Sequence, residues 1–475
     1  MSGPVMMTYP SSAPEKVGLA RLTTAFEQAD MALAEAVLAH GRETPARLDA
    51  LLAIAPEHPR GHAARALMLV TLARSALKPA ALSAAREALR LIAQGGFSQA
   101  DQHFAEAGML AANGDWRSAI ESLETVLRLD PSDSLSAKLN HGLRFMLGDK
   151  HGMLRSIEAV LQALPAQHPH RGFLMGCHAF ALEENGKYHE AESMGRAAVT
   201  LEARDAWGLH AVSHVHEMSG RIDEGVDWIE ARSAAIRGCN TFGGHLFWHL
   251  ALFRLEQGDI TEVFRLYDRE IRQEKTDDVR DIANAASLLA RLETEGHRVG
   301  NRWEELAEKA EARIADRALV FADLHYMLAL LGAGRIEAAT SLAQSIAEEP
   351  AAYRVQDGVA KATGALMAEG LLQARTGRAD LAFRALRLAA PSAHLLGGSD
   401  AQRDIFTQVL LESALKSGET RYAEAMLNAR LAARGGQNRF AATRLARIAP
   451  RMPRPAGRIA VLGALAFARA APHHG

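Results

Sequence analysis

AGMLAANGDWRSAIESLETVLRLDP, residues 107–131, decides the fold. Gly114 ends one helical stretch, and Trp116, Ala119, Leu123 and Val126 follow at spacings of three, four and three. Such spacing lines up one face of a second helix. Pro131 lacks the backbone N–H that would continue it. Working outward, Gly114 is the first of nine glycines in near-regular register, with Gly148, Gly186, Gly220, Gly258, Gly296, Gly334, Gly377 and Gly418. The steps are 34, 38, 34, 38, 38, 38, 43 and 41 residues, the period of stacked helical hairpins.

The Gly114 segment resembles a tetratricopeptide unit: Gly, an aromatic two on, Ala five on, a large apolar residue nine on, and an Asp-Pro close. The other rungs repeat it with drift: Tyr188 and Ala191 follow Gly186, Ile260 and Val263 follow Gly258, and Ile336 and Ala339 follow Gly334. The sequence therefore predicts an all-α, tetratricopeptide-like right-handed α-solenoid of about nine to ten hairpins. Residues 98–435 carry the repeats. Residues 15–97 read as an N-terminal helical cap with a degenerate hairpin, 60–77 and 80–93, split at Lys78-Pro79, and 1–14 as a disordered terminus.

Composition agrees. About half the residues are apolar, Ala and Leu dominate and aromatics are few, which favours helix over sheet and excludes global disorder. A net charge of -2 exerts no general pull on nucleic acid or anionic membrane. Cys177 and Cys239 have no metal-type spacing, and no signal peptide or spanning segment is seen, so a reduced cytoplasmic setting without membrane insertion is expected. From Ala425 onward there is no acidic residue, while Arg430, Arg434, Arg439, Arg444, Arg447 and others accumulate. Residues 436–475 read as a basic capping segment and tail, solvated, with a polyanion contact as the alternative; with only Phe440 and Phe467 for stacking, nucleic acid is disfavoured.

The histidines come next. DAWGLHAVSHVHEM, 205–218, places Trp207, His210, His214 and Glu217 on one helical stripe, with His216 pointing elsewhere as a surface residue. GGHLFWHLALFRL, 243–255, carries His245, Trp248 and His249, and FADLHYMLALL, 321–331, carries Asp323 and His325. The tetratricopeptide resemblance implies that the first helix of each hairpin lines a concave groove, so these residues should converge on one wall. Two H-x-x-x-H pairs, His210/His214 and His245/His249, could supply four imidazoles to a divalent metal. Alternatively, imidazoles beside Glu217 and Asp323 could do acid–base work, with His210, His214, Glu217, His249, Asp323 and His325 as catalytic candidates. No P-loop, dinucleotide fingerprint or GxSxG elbow is present in the sequence.

The chain also resembles the tetratricopeptide repeat protein 38 family. The resemblance runs from about residue 20 to 435 and is carried by 205–218, by HLFWHLAL at 245–252 and by GGSDAQRD at 397–404. RLETEGHRVGNRW at 291–303 and FADLHYMLALLGAG at 321–334 support it. It implies that Asp205, Trp207, His210, His214, Glu217, His245, Trp248, His249, Asp323, His325, Gln402, Arg403 and Asp404 are characteristic; Asn284 departs from the pattern, an Asp being expected there. No settled reaction comes with it. The leading expectation is a ligand or protein partner held in the groove by Trp207, His210, His214, Glu217, His245, Trp248, His249, His325 and Arg403. A hydrolase or lyase using the same cluster, with or without metal, is the alternative, and a non-catalytic assembly scaffold the third.

Overall fold

The nine ladder glycines share one backbone conformation, left-handed with φ between 69° and 87°, and each closes the first helix of a hairpin. Glycine reaches this region without a Cβ penalty, which is why it recurs at the same place in every unit. In the computed structural model, residues 14–448 are described. They form an all-α solenoid of helical hairpins, and the described residues hold no strand, only an isolated bridge between Gly41 and Cys239. The expected disordered terminus and the end of the basic tail lie outside the described residues, apart from Pro14, which opens the first helix.

The hairpin signal at residues 107–131 is realised as Gln99–Ala112 and Trp116–Leu129. Trp116, Ala119, Leu123 and Val126 are all buried, as the face pattern requires. The degenerate hairpin is Pro59–Thr71 and Lys78–Ile92; its first helix stops six residues short of the expected end, with Ala73 at positive φ in the connection.

The first helices form a continuous inner wall. Ser134–Met146, Arg171–Glu184, Ala206–Ser219, Phe242–Gln257, Val279–Thr294, Val320–Gly332, Ala365–Arg375 and Asp400–Lys416 each pack on the next. The wall then curls onto itself. Asp400–Lys416 packs against both Ala206–Ser219 and Val279–Thr294, and the last helix, Arg439–Ile448, packs on Phe242–Gln257. At the N-terminal end Asn240 N–H donates to His40 O at 2.7 Å, and Arg42 Nε donates to Cys239 O at 2.8 Å. Both ends of the described chain therefore pack back onto the middle repeats.

The Arg-rich segment does much of this closing, which corrects its reading as solvated. Arg444 is buried and donates to Glu295 at 2.5 Å and Glu412 at 2.7 Å. Arg430 makes a bidentate pair with Asp404, and the Arg439 N–H donates to Glu256 at 2.6 Å. The Arg430 and Arg444 guanidiniums meet acids supplied by earlier repeats, Asp404 for the one and Glu295 and Glu412 for the other.

Gly220 and Gly186 separate turn geometry from closure. A Cβ on Gly186 would meet nothing within 4 Å, whereas one on Gly220 would overlap the Arg434 carbonyl oxygen. Gly186→Ala should cost roughly 1–2 kcal/mol from the left-handed backbone alone. Gly220→Ala should cost more and release residues 420–448 to proteolysis; equal urea stabilities would mean that the closure contact is absent in solution. Ala191 is fully buried, so Ala191→Leu should overpack and lose about 1–3 kcal/mol in the same assay.

Candidate functional site

Four imidazoles meet at the centre of the curled wall. His210 and His214 lie one turn apart on Ala206–Ser219, and His245 and His249 one turn apart on Phe242–Gln257. Because the two helices pack side by side, the i,i+4 pairs face each other. One nitrogen from each ring lies within 4.8 Å of all the others. His210 Nε2 and His245 Nε2 approach to 2.8 Å, and the His214 and His249 ring centroids are 4.5 Å apart.

The outward-facing nitrogens are held from behind. His245 Nδ1–H donates to Asn284 Oδ1 at 3.0 Å, and His249 Nδ1–H donates to Glu217 Oε2 at 2.9 Å. His214 Nδ1 lies 3.3 Å from Glu183 Oε2, an ion-pair distance without the alignment of a hydrogen bond. These partners leave the Nε2 lone pairs of His245 and His249 directed inward. His249 Nε2, both nitrogens of His214 and His210 Nδ1 have no hydrogen-bond partner.

All four histidines are buried, and burial drives their chemistry. Desolvation, reinforced by the neighbouring imidazoles, holds His210 and His245 far below the usual histidine range. Desolvation also lowers His249 strongly and lowers His214, whose nearby Glu184 and Glu217 oppose the shift. The carboxyls move the other way. Burial raises Glu183 well above its ordinary value, pushes Glu184 up to about 8 and raises Glu217. The rings are thus neutral at pH 7, the form that ligates metals.

The aromatic expectation is met in part. Trp248 stacks on His245 at 5.3 Å between centroids. Trp207 packs 5.1 Å from His210, and its Nε1–H donates to His141 Nε2 at 3.2 Å. The remaining expected residues are not brought to the four rings. His325 donates from Nδ1 to Phe321 O at 2.8 Å and packs on Phe321 and Phe406, while Asp323 is buried on the same helix. Arg403 donates to the Gly397 and Gly398 carbonyls and to Asp400, with Glu184 Oε2 3.7 Å away. Gln402 closes the capping box with Ser399, and Asp404 pairs with Arg430. Asp205 stands at the N-cap of Ala206–Ser219, where burial pushes its carboxyl up to about 7. His216 faces away from the cluster as expected, yet it is buried rather than on the surface; its Nε2 lies 3.3 Å from Arg196.

Glu183 was missed. It stands three residues before Gly186, the same register as Glu217 before Gly220, and that register was the available signal. Asn284, noted only as a departure from a pattern, proves to be the anchor of His245.

No family model matches the chain. A solved structure of Naa15/Naa10 bound to HypK-THB is similar at 15% identity with a TM-score of 0.24, over 91% of this chain. The match covers 66% of that protein's length.

Removing the Asn284 acceptor tests how tightly the site is built. Asn284→Leu leaves the buried His245 N–H without a partner and should lower stability by about 1–3 kcal/mol in urea unfolding. An unchanged midpoint would show that His245 is not held by this bond.

Proposed function

We propose that the protein is a helical-repeat metal-binding protein in which His210, His214, His245 and His249 hold one divalent transition-metal ion at the centre of the closed solenoid. The observation that carries this reading is the convergence of four buried, neutral imidazoles whose ligand nitrogens all lie within 4.8 Å of one another. Four nitrogen ligands and no open position suit zinc in a closed, structural type of site. Tetrahedral ligands about 2.0–2.1 Å from zinc stand roughly 3.3 Å apart, so side-chain shifts of under about 1 Å would close the shell.

The surroundings support it. Asn284 on His245, Glu217 on His249 and Glu183 beside His214 match the outer partners that orient metal-bound histidines and fix their tautomers. A dication beside Glu217 and Glu183 would favour their ionised forms, which burial otherwise opposes. An ion would also use His249 Nε2 and His214 Nε2, which are otherwise buried without partners. This reading places the ligand, a metal ion, between two inner-wall helices; the packing of Asp400–Lys416 and Arg439–Ile448 on those same helices supports an enclosed site. On this reading the ion ties two adjacent hairpins together, and its binding energy adds to folding stability.

Metal analysis tests it. Chelator-stripped protein titrated with zinc should take up one equivalent, and at a thousandfold excess over Kd the stability should rise by about 4 kcal/mol. The double variant His214→Ala/His249→Ala should lose the uptake, while His216→Ala, buried but outside the cluster, should retain it. Absence of stoichiometric uptake by folded wild-type protein would refute the reading, as would equal uptake by the double variant.

A further inference from the structure

Behind Glu217, on the side away from the imidazoles, lies a cavity of about 40 Å³ between the inner wall and the C-terminal hairpin. Arg291, Arg430 and Arg434 reach it, as do Glu217, Glu256 and Asp404. A buried water needs roughly 10–15 Å³, so the space holds about three waters or one small ion. Three guanidiniums line it against three carboxylates, and of these only Arg430 and Asp404 pair directly with each other.

Each acid is already engaged. Asp404 takes both arms of Arg430. Glu256 accepts from Asn438 Nδ2 at 2.7 Å and from the Arg439 N–H at 2.6 Å. Glu217 accepts from His249 at 2.9 Å. Arg434 is left over. It is 8% exposed, and the only described partner of its guanidinium is the Met218 sulfur at 3.9 Å. Arg291 is nearly as bare: it donates to the Ser287 and Ala401 carbonyls, and its nearest carboxylate oxygen, on Asp404, is 4.0 Å away. Neither guanidinium has a carboxylate within hydrogen-bond distance, which is costly for a buried cation; desolvation lowers both, with Asp404 and Glu217 opposing the shift from further away.

We infer that this cavity binds a small oxyanion, of carboxylate or phosphate size, between Arg434 and Arg291. Guanidinium forks match such anions through paired N–H donors, and two of them flank a space of the right size. The position of Arg434 is fixed by its backbone, whose carbonyl rests against Gly220. The anion would therefore report on the contact that closes the solenoid. The inference stands on different side chains from the metal reading, and its failure leaves that reading intact.

The test uses the full-length protein after exhaustive dialysis, with inorganic phosphate and acetate as probes and chloride at equal ionic strength as control. Phosphate or acetate at ten times its Kd should raise the wild-type thermal midpoint by about 2 °C beyond chloride. Acetate alone would assign the site to carboxylates, and phosphate at least as strong would assign it to phosphate groups. Arg434→Met should lose the response and, without anion, be at least as stable as wild type, because an uncompensated buried charge has gone. Arg434→Lys should retain a weaker response. Three results would overturn the inference: no anion effect in the wild type, an equal effect in Arg434→Met, or Arg434→Met destabilised without anion. The last would mean that Arg434 is satisfied by bridging waters and serves the fold alone.

Discussion

The structure turns on one close approach: the carbonyl of Arg434 against the turn at Gly220, where no side chain fits. That contact seats the last hairpin against the ends of Ala206–Ser219 and Phe242–Gln257. Arg430 finds Asp404, Arg444 finds Glu295 and Glu412, and the face of Ala206–Ser219 that would otherwise meet water is covered by Asp400–Lys416. The histidines themselves are enclosed by Phe180, Trp207, Phe242 and Trp248 of the inner wall.

Burial then sets the chemistry. An imidazolium in a dry interior beside three other rings is strongly disfavoured, so His210, His214, His245 and His249 stay neutral. Neutral rings leave lone pairs directed at one point, and carboxyls and an amide behind them select which nitrogen keeps the proton. A hydrophobic core would have been simpler to fold, since each buried polar atom without a partner costs about 1–3 kcal/mol. On the metal reading proposed above, one ion would satisfy the four buried imidazoles together.

The fold was legible because its determinants are local. Gly114 and its eight counterparts mark each turn by a backbone conformation that only glycine adopts freely, and the period follows by counting. The inward register of His210, His214, His245 and His249 was legible for the same reason, since two i,i+4 pairs on neighbouring first helices have only one common side. Closure was not. The Gly220–Arg434 contact spans more than two hundred residues, and nothing in either segment alone announces the other. Without it, the late arginines read as a solvated basic stretch; with it, Arg444 is among the largest fully buried side chains. His216 is buried for a separate reason, its packing beside Arg196 of the preceding hairpin. His325 shares the repeat register of His249 but sits two units further along a curling wall, which carries it to Phe406 and away from the other rings. Asp323 follows it on the same helix.

X-ray absorption at the metal edge of the zinc-loaded, full-length protein tests the central claim most directly, because it reads the ligand shell itself. The account predicts about four nitrogen neighbours at roughly 2.0–2.1 Å with the outer-shell scattering of imidazole rings. A shell of oxygen ligands, a six-coordinate hydrated ion, or zinc that washes out before measurement would contradict it.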